Sequence, residues 1–207
     1  MKKLAVYLGT IIFVLSITQI AFPVPYTHKE VKDAEELIDT AQITRGKGSL
    51  EHITGELTGN DIDLYQIYIN DTDDFSVNIW ADLSYNDPDK LDDNDAVLYL
   101  FDSDGYETLF DDDGKSSSLL PQFNPGDIPK DKDAGIYYLA FTIFGTRPNN
   151  GMLVSWSYTN SPQTGDYILD LTGTSPAAPA PVPEPATIFL LGSGLVGLVR
   201  LRKRLRA

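Results

Sequence analysis

The chain of 207 residues contains no cysteine and only two histidines, His28 and His52. The absence of cysteine excludes disulfide bonds and thiolate nucleophiles, so the stability of the chain must come from a packed core. Neither histidine has a plausible nucleophile beside it, and the serine run at 116–118 has no base beside it. The sequence therefore offers no activated serine or cysteine for catalysis.

Positive charge is scarce between the two ends of the chain. The formal net charge is −14, and it becomes −20 for the central residues once Lys2 and Lys3 (+2) and Glu184 with five tail cations (+4) are set aside. Such a charge disfavours nucleic acid and anionic membrane surfaces as partners. Soluble cations, basic proteins and neutral polysaccharide remain as candidate partners.

The N-terminus has the pattern of a secretory signal. Lys2 and Lys3 precede an uncharged apolar stretch that ends at Phe22. The pattern predicts a signal helix over residues 1–22, a linker over 23–32, and export through the inner membrane. Ala21 is the best candidate for the last residue removed, but Gln19 stands where a small residue is expected. Persistence of the segment as a second membrane anchor is therefore an open alternative.

The C-terminal residues combine three features in a fixed order. The first is the tetrapeptide Val182, Pro183, Glu184 and Pro185, and the second is an uncharged apolar run over 186–199. A short apolar helix followed at once by cations enters a bilayer and stops there, because the cations stay with anionic lipid. The order predicts a transmembrane helix over 186–199 and a membrane stop formed by Arg200, Arg202, Lys203, Arg204 and Arg206.

This order of triplet, short helix and basic end resembles the PEP-CTERM sorting signal of Gram-negative bacteria. The resemblance implies that a membrane transpeptidase of the exosortase type recognises residues 183–185 and removes the helix. The chain would then be anchored transiently in the inner membrane, through a sorting signal over 183–207, before it reaches the cell surface or the outside. An ordinary tail anchor that is never cut is the alternative.

The central residues show the periodicity of β-strands. Tyr65, Ile67 and Ile69 alternate with polar neighbours, and similar alternation occurs over 75–79 and 167–172. Two runs, 96–101 and 136–144, are apolar at both parities, which predicts central strands covered on two faces. A further strand is predicted over 152–158, whereas residues 31–41 have too few apolar side chains to favour a helix. Turn signals separate the runs at 104–105, 113–114, 125–126, 150–151 and 164–165.

These strands and turns predict an all-β fold, a single antiparallel β-sandwich over 33–174, followed by a proline- and alanine-rich linker over 175–182. Five segments, at 33–57, 60–69, 97–105, 134–140 and 164–172, resemble in their order the pre-peptidase C-terminal-like domain. The resemblance implies a jelly-roll-like sandwich that accompanies secreted enzymes or stands alone, and that binds collagen or other polymers in some relatives. No peptidase is attached in this sequence.

Calcium is the main ligand hypothesis, because aspartates crowd the predicted turns. Hard cations bind several oxygens at once, and such turns supply carboxylates and carbonyls together. The spacing of an EF-hand is absent, but the resemblance implies that some calcium-binding relatives use acids near Asp61 and Asp63. The alternative is that aspartate favours turns and keeps an exported protein soluble. The predicted ligands are Asp61, Asp63, Asp102, Asp104, Asp111, Asp112 and Asp113, with a further acidic loop at 87–95.

The sequence therefore predicts a non-catalytic, exported protein of the cell surface or extracellular matrix, for example of a biofilm, that is a substrate of an exosortase. The first alternative is a module that binds exopolysaccharide or another polymer. The second is a secreted hydrolase with a carboxylate pair, although acids in exposed turns do not acquire the raised pKa of a general acid. Candidate aromatic residues for stacking on sugar rings are Tyr85, Tyr99, Tyr106, Tyr137, Tyr138, Trp156 and Tyr158.

Overall fold

The computed structural model describes residues 24–85, 95–114, 119–158 and 163–179. The predicted signal helix at 1–22, the predicted transmembrane helix at 186–199 and the basic end lie outside the described residues. None of the described segments forms a helix long and apolar enough to cross a membrane.

The described residues form fifteen strands and one 3₁₀ turn at Asn149–Gly151. The strands are β1 Tyr26–Lys29, β2 Gln42–Ile43, β3 Arg45–Gly46, β4 Leu50–Thr58, β5 Ile62–Ile69, β6 Ser76–Ala81, β7 Ser84–Tyr85, β8 Ala96–Phe101, β9 Glu107–Asp111, β10 Gly135–Ile143, β11 Arg147–Pro148, β12 Trp156–Ser157, β13 Gln163–Thr172, β14 Thr174–Pro176 and β15 Ala178–Pro179. The prediction of an all-β fold is confirmed for these residues.

Two large sheets organise the strands. Sheet A has the order β1-β4-β13-β6, and β7 pairs with the end of β13. Sheet B has the order β14-β5-β10-β8-β9, and β2 pairs with β5. Two small two-stranded pairs, β11 with β12 and β15 with β3, lie beside them.

The inner faces of the two sheets pack against each other around one apolar core. Tyr65 of sheet B and Tyr167 of sheet A meet with their hydroxyl oxygens 2.6 Å apart, and the ring centroids of Phe141 and Tyr167 are 4.6 Å apart. The core includes buried side chains from β4, β5, β6, β8, β10 and β13. Contact between two sheets through alternating side chains is the arrangement of a β-sandwich.

A second apolar cluster covers the outer face of sheet B. It joins Ile62, Val97 and Ala140 to Leu153 and Trp156, which come from the segment after β11. The central strands of sheet B are therefore covered on both faces, and every residue of β8 is buried. This confirms the prediction of central strands for 96–101 and for 136–143, whereas Phe144 lies beyond β10 and is exposed.

Two sequence predictions about strands are wrong. Residues 152–158 do not form one strand, because only Trp156 and Ser157 pair, with β11. Thr164-Gly165 is not a turn but part of β13. Gly165 fits the strand because a Cβ there would lie 2.0 Å from the carbonyl oxygen of Asp82, so its glycine reflects a close approach of two backbones.

Strands extend beyond the predicted domain limits at both ends. The predicted linker 23–32 contains β1, which pairs with β4, and the predicted linker 175–182 begins within β14, which pairs with β5. The first and last strands of the described residues are thus β1 and β15. The sandwich is not purely antiparallel, because the short strands β1, β2 and β15 pair in parallel.

Candidate functional site

The candidate site lies where the segment after β1 crosses the end of the sandwich. Glu30 is held there because its N–H donates to the carbonyl oxygen of Thr54, at 2.9 Å. Lys32 and Glu35 have positive φ angles of 63° and 58°, a conformation that non-glycine residues adopt at a cost. The bent segment places Asp33 beside Glu30, and Asp33 Oδ1 accepts a hydrogen bond of 3.0 Å from the N–H of Glu35.

Asp63 of β5 supplies the buried part of the site. Its side chain has no exposed surface, and its Oδ2 accepts a hydrogen bond of 2.6 Å from the hydroxyl of Tyr167. Burial raises the pKa of Tyr65 and of Tyr167, so both hydroxyls keep their protons, and Tyr65 donates to Tyr167. The other oxygen, Oδ1, is buried and accepts no hydrogen bond from an N–H or hydroxyl group of the described residues. A buried acceptor without a partner is costly, which makes Asp63 Oδ1 the unusual atom of this site.

Carboxylate oxygens of Glu30, Asp33 and Asp63 lie within 4.8 Å of one another. Glu30 Oε2 also accepts a hydrogen bond of 2.9 Å from the N–H of Glu56. Gly55 of β4 makes room for the group, because a Cβ there would lie 2.6 Å from Glu30 Oε2 and 2.4 Å from the hydroxyl of Tyr167. The three acids are called the carboxylate cluster below. Glu30 and Asp33 line a surface cavity of about 580 Å³, whereas Asp63 lies buried behind them and does not line it.

The electrostatics of the carboxylate cluster oppose full ionisation. Burial raises the pKa of Asp63 to about 9; the hydrogen bond from Tyr167 opposes this rise, and the charges of Asp61, Glu30 and Asp33 add to it. Burial likewise raises the pKa of Glu30, against the hydrogen bonds from the Glu56 N–H and with the Asp63 carboxyl group. The cluster thus needs a positive charge, a proton or a metal ion, to hold its carboxylates together.

The cluster has the donor chemistry of a calcium site. Calcium binds oxygen at 2.3–2.6 Å, so two ligands of one ion are at most about 5 Å apart, and the cluster meets this limit. Asp63 Oδ1, which has no N–H or hydroxyl donor among the described residues, is the oxygen that an ion would satisfy. Among the described residues, no other group of three potential ligand side chains converges in this way.

Of the seven predicted metal ligands, the structure brings only Asp63 into this cluster, with Asp61 at the edge of its cavity. Both oxygens of Asp61 already accept hydrogen bonds. Oδ2 accepts from the N–H and the hydroxyl of Thr58, and Oδ1 accepts from the N–H of Ile62. Asp61 therefore caps the turn before β5 and acts on the cluster through its charge.

The acids of the β8–β9 turn lie elsewhere and support the turn itself. Asp102 Oδ1 accepts hydrogen bonds from the N–H groups of Asp104 and Tyr106, and Oδ2 accepts one of 2.7 Å from Lys132 Nζ. Asp104 is exposed. Asp102 and Asp104 were predicted as ligands around this hairpin; among the described residues they do not join a group of three converging metal-ligand side chains.

The three consecutive acids at the end of β9 are also apart from the cluster. Asp111 Oδ2 accepts a hydrogen bond of 2.7 Å from the N–H of Gln122, Asp112 is half-buried and Asp113 is exposed. Of the acidic loop at 87–95, only Asp95 lies within the described residues. Sequence reasoning missed Glu30 and Asp33, since no local pattern relates them to Asp63 some thirty residues later.

Most of the predicted sugar-stacking aromatics are core residues. Tyr99, Tyr137, Tyr138 and Trp156 are buried, and the Trp156 indole N–H donates to the carbonyl oxygen of Glu36 at 2.8 Å. Tyr106 and Tyr158 are exposed, whereas the side chain of Tyr85 lies outside the described part. The exposed tryptophan is Trp80, and the alternation of Val77 and Ile79, continued by one residue, would have placed it on the outer face.

The two histidines have structural partners. His28 is buried, and its Nε2 is 2.8 Å from Gln42 Oε1. His52 Nδ1 is 2.8 Å from Asp170 Oδ1 on the neighbouring strand. Both contacts tie adjacent segments together.

Comparison with known proteins identifies the tail. Residues 181–204 match the PEP-CTERM protein-sorting motif. The matched range contains the predicted tetrapeptide 182–185 and all of the predicted stop residues except Arg206. The motif indicates that the chain is a substrate of an exosortase-type sorting system and is therefore exported. No curated protein and no solved structure matches the chain, and no family match covers the sandwich.

Proposed function

We propose that this chain is a non-catalytic protein of the cell surface or extracellular matrix, and that its sandwich is stabilised by calcium bound at the carboxylate cluster. The convergence of Glu30, Asp33 and Asp63 around a buried oxygen without a partner is the observation that carries the calcium proposal. The exported address supports it, because calcium sites of low affinity are common in extracellular modules.

The pre-peptidase C-terminal-like relationship is part of the same proposal. The order of the strand segments supports it, as does the position of Asp61 and Asp63 at the start of β5. The acidic, cysteine-free chain suits an exported module that needs no disulfide. The acids of the β8–β9 turn support the turn, and the carboxylate cluster is proposed to bind an ion. We therefore propose a structural or matrix role for this exported fold.

The proposed ion would join two parts of the fold that are distant in sequence. Glu30 and Asp33 belong to the segment after β1 in sheet A, whereas Asp63 belongs to β5 in sheet B. An ion shared by all three would fasten the N-terminal segment across the end of the core. Because it binds only the folded arrangement, its binding free energy adds to the stability of the fold.

Thermal unfolding of the full chain in calcium, in magnesium and in chelator tests this proposal. At a hundredfold excess over the dissociation constant, calcium adds about 2.7 kcal/mol, which raises the Tm of a domain of this size by about 5–10 °C. Magnesium should have a smaller effect, since it demands a tight octahedral shell. Asp33→Asn should remove most of the calcium response.

Asp104→Asn is the matched control, because it removes the same charge from an exposed turn outside the cluster. It should leave the response to calcium unchanged. Equal Tm values for the unmodified chain in all three solutions would show that the cluster binds no calcium. Equal responses of Asp33→Asn and Asp104→Asn would place the ion elsewhere.

A secreted hydrolase is the competing proposal, since carboxylates do meet at a cavity. A carboxylate pair that cleaves a glycoside must reach the substrate from two sides. Asp63 has no exposed surface and accepts a hydrogen bond from Tyr167. Both features favour ion binding over contact with a substrate. Hydrolysis of a glycan by the full chain that is lost in Asp63→Asn would overturn the non-catalytic proposal.

A further inference from the structure

Trp80 is exposed on the outer face of sheet A, on the edge strand β6. It lies in β6 between the buried residues Ile79 and Ala81, and 53% of its surface is exposed. None of the described residues forms a hydrogen bond with its indole N–H. A large aromatic side chain with a free polar tip is the kind of group that binding surfaces use.

The register of sheet A places Trp80 at one end of a row of outward-facing side chains. Ile168 lies directly beside Trp80, Thr54 beside Ile168, and Lys29 beside Thr54. The row therefore begins with an aromatic face, continues over an aliphatic and a hydroxyl side chain, and ends at a cation. It forms a floor that runs across four strands.

Polar rows lie on both sides of this floor. Two residues along the strands, Asn78, Asp170 and His52 lie side by side, and His52 is already paired with Asp170. In the other direction Asp166 lies beside Glu56. Successive outward rows of a strand are about 6.6 Å apart, so a ring stacked on Trp80 has hydrogen-bonding groups one row away on each side.

Two surface cavities follow one another along this face. The first, of about 580 Å³, is lined by Trp80, Ile168, Thr54 and Asp166. The second, of about 420 Å³, is lined by His52, Asn78 and Asp170. Trp80, Thr54 and Ile168 of the first cavity are each two positions along their strands from Asn78, His52 and Asp170 of the second, so the two cavities are neighbours on this face.

We infer that the outer face of sheet A is a binding platform for a neutral polysaccharide, on which Trp80 stacks against a sugar ring. The indole face suits the C–H face of a pyranose. Asn78 and Thr54 can donate hydrogen bonds to sugar hydroxyls or accept them, and the carboxylates of Asp166 and Glu56 accept them. This inference rests on the proposed surface role and deepens it by naming the partner. Glu30 and Asp33 line the same first cavity, but stacking on Trp80 requires no bound ion.

The charge of the face favours a neutral polymer over charged ones. Glu56, Asp166 and Asp170 repel an anionic polysaccharide or a nucleic acid. Against a basic peptide, Asp170 is paired with His52 and the row that contains Trp80 ends at Lys29; Glu56 and Asp166 remain as acids on this face, so poly-lysine is the probe for that alternative. Neutral hydroxyls meet neither objection.

Affinity electrophoresis and calorimetry of the full chain in mild detergent test the inference. The probes are hydroxyethyl cellulose, laminarin, dextran and galactomannan, with poly-lysine as the basic alternative. We expect at least one neutral glycan to bind and to shift the tryptophan emission to the blue as Trp80 is covered. Trp80→Ala should weaken that binding by at least about tenfold, as truncation of a central aromatic contact does. Trp80→Phe, which keeps a stacking ring, should retain part of it.

Tyr106→Ala is the matched control, because Tyr106 is also 53% exposed but lies outside sheet A. It should leave glycan binding unchanged, and all variants should keep the Tm of the unmodified chain within a few degrees. Binding of none of the four glycans, equal binding by Trp80→Ala, or Trp80-dependent binding of poly-lysine alone would overturn the inference. Each titration is run in calcium and in chelator. If calcium does not raise the Tm but glycan still binds, only the calcium proposal is contradicted.

Discussion

Asp102 and Asp63 differ in how many of their oxygens the fold already uses. Both oxygens of Asp102 accept hydrogen bonds within its own turn and from Lys132, whereas Asp63 keeps a buried oxygen without a partner. Sequence shows that an aspartate is present but not which donors surround it. At the scale of single residues, the number of oxygens left without a donor separates a turn-supporting acid from a candidate ligand.

The ion pair of Asp102 and Lys132 predicts a pH-dependent contribution to stability. Burial alone would raise the pKa of Asp102, but the hydrogen bonds from Lys132 and from the Tyr106 N–H outweigh it and hold the pKa below its usual value. The contribution is therefore fully present above the unfolded pKa of about 3.9 and is lost as pH falls through the folded pKa. Asp102→Asn keeps an acceptor for the turn but removes the charge.

We expect Asp102→Asn to lower the free energy of unfolding by about 1 kcal/mol at pH 7, because the pair is only partly buried. The difference from the unmodified chain should shrink as pH falls below about 4. Urea unfolding at several pH values measures it. Asp104→Asn removes an exposed charge from the same turn and should show almost no difference; a deficit for Asp102→Asn that stays constant down to pH 2 would contradict the assignment.

Strand β10 is the central element of sheet B. It pairs with β5 on one side and β8 on the other, and Leu139 lies between Tyr65 and Leu100 with no exposed surface. Its inward side chains reach the core between the sheets, and its outward side chains meet the second cluster. A strand buried on both faces has little room to collapse around a missing side chain.

Leu139→Ala should therefore lower the free energy of unfolding by about 2–5 kcal/mol, the cost of a buried cavity. Chemical denaturation followed by far-UV circular dichroism measures this change and also checks that the spectrum is that of β-structure. Val154→Ala removes methyl groups from a side chain that is 61% exposed and should cost less than about 0.5 kcal/mol. Similar costs for the two variants would contradict the position of β10 in the core.

The sequence predicts those strands whose own pattern of apolar residues shows which faces are buried. The alternation at Tyr65, Ile67 and Ile69 and the double-sided apolarity of 96–101 both record burial, and both predictions are confirmed. Strands β1, β14 and β15 were missed because they are short, polar or rich in proline, and only their pairing partners make them strands. The carboxylate cluster was missed in part for the same reason, since β1 and its pairing with β4 bring Glu30 to Asp63.

At the scale of the whole molecule, the sandwich and the sorting motif are close together along the chain. Strand β15 pairs with β3 up to Pro179, and the Ala178 N–H donates to the carbonyl oxygen of Thr44 at 3.1 Å. Only residues 180–182 separate Pro179 from Pro183. Fully extended, this stretch spans at most about 14 Å. A transpeptidase that engages the triplet therefore works beside the folded sandwich, unless β15 first detaches from β3.

This proximity yields the last prediction, on processing in a host that has the transpeptidase. Glu184→Ala should leave the chain in the inner membrane, because the triplet at 183–185, within the matched motif, loses its charged residue. Insertion of a six-residue glycine-serine segment after Ala180 should speed removal of the tail, because the enzyme would no longer compete with the pairing of β15. Pulse-chase labelling with intact-mass measurement follows both variants, and the same insertion after Gly126, in an exposed turn, is the control. Exported protein that still carries residues 200–207 would contradict cleavage, and an unchanged rate after the insertion would show that the sandwich does not hinder the enzyme.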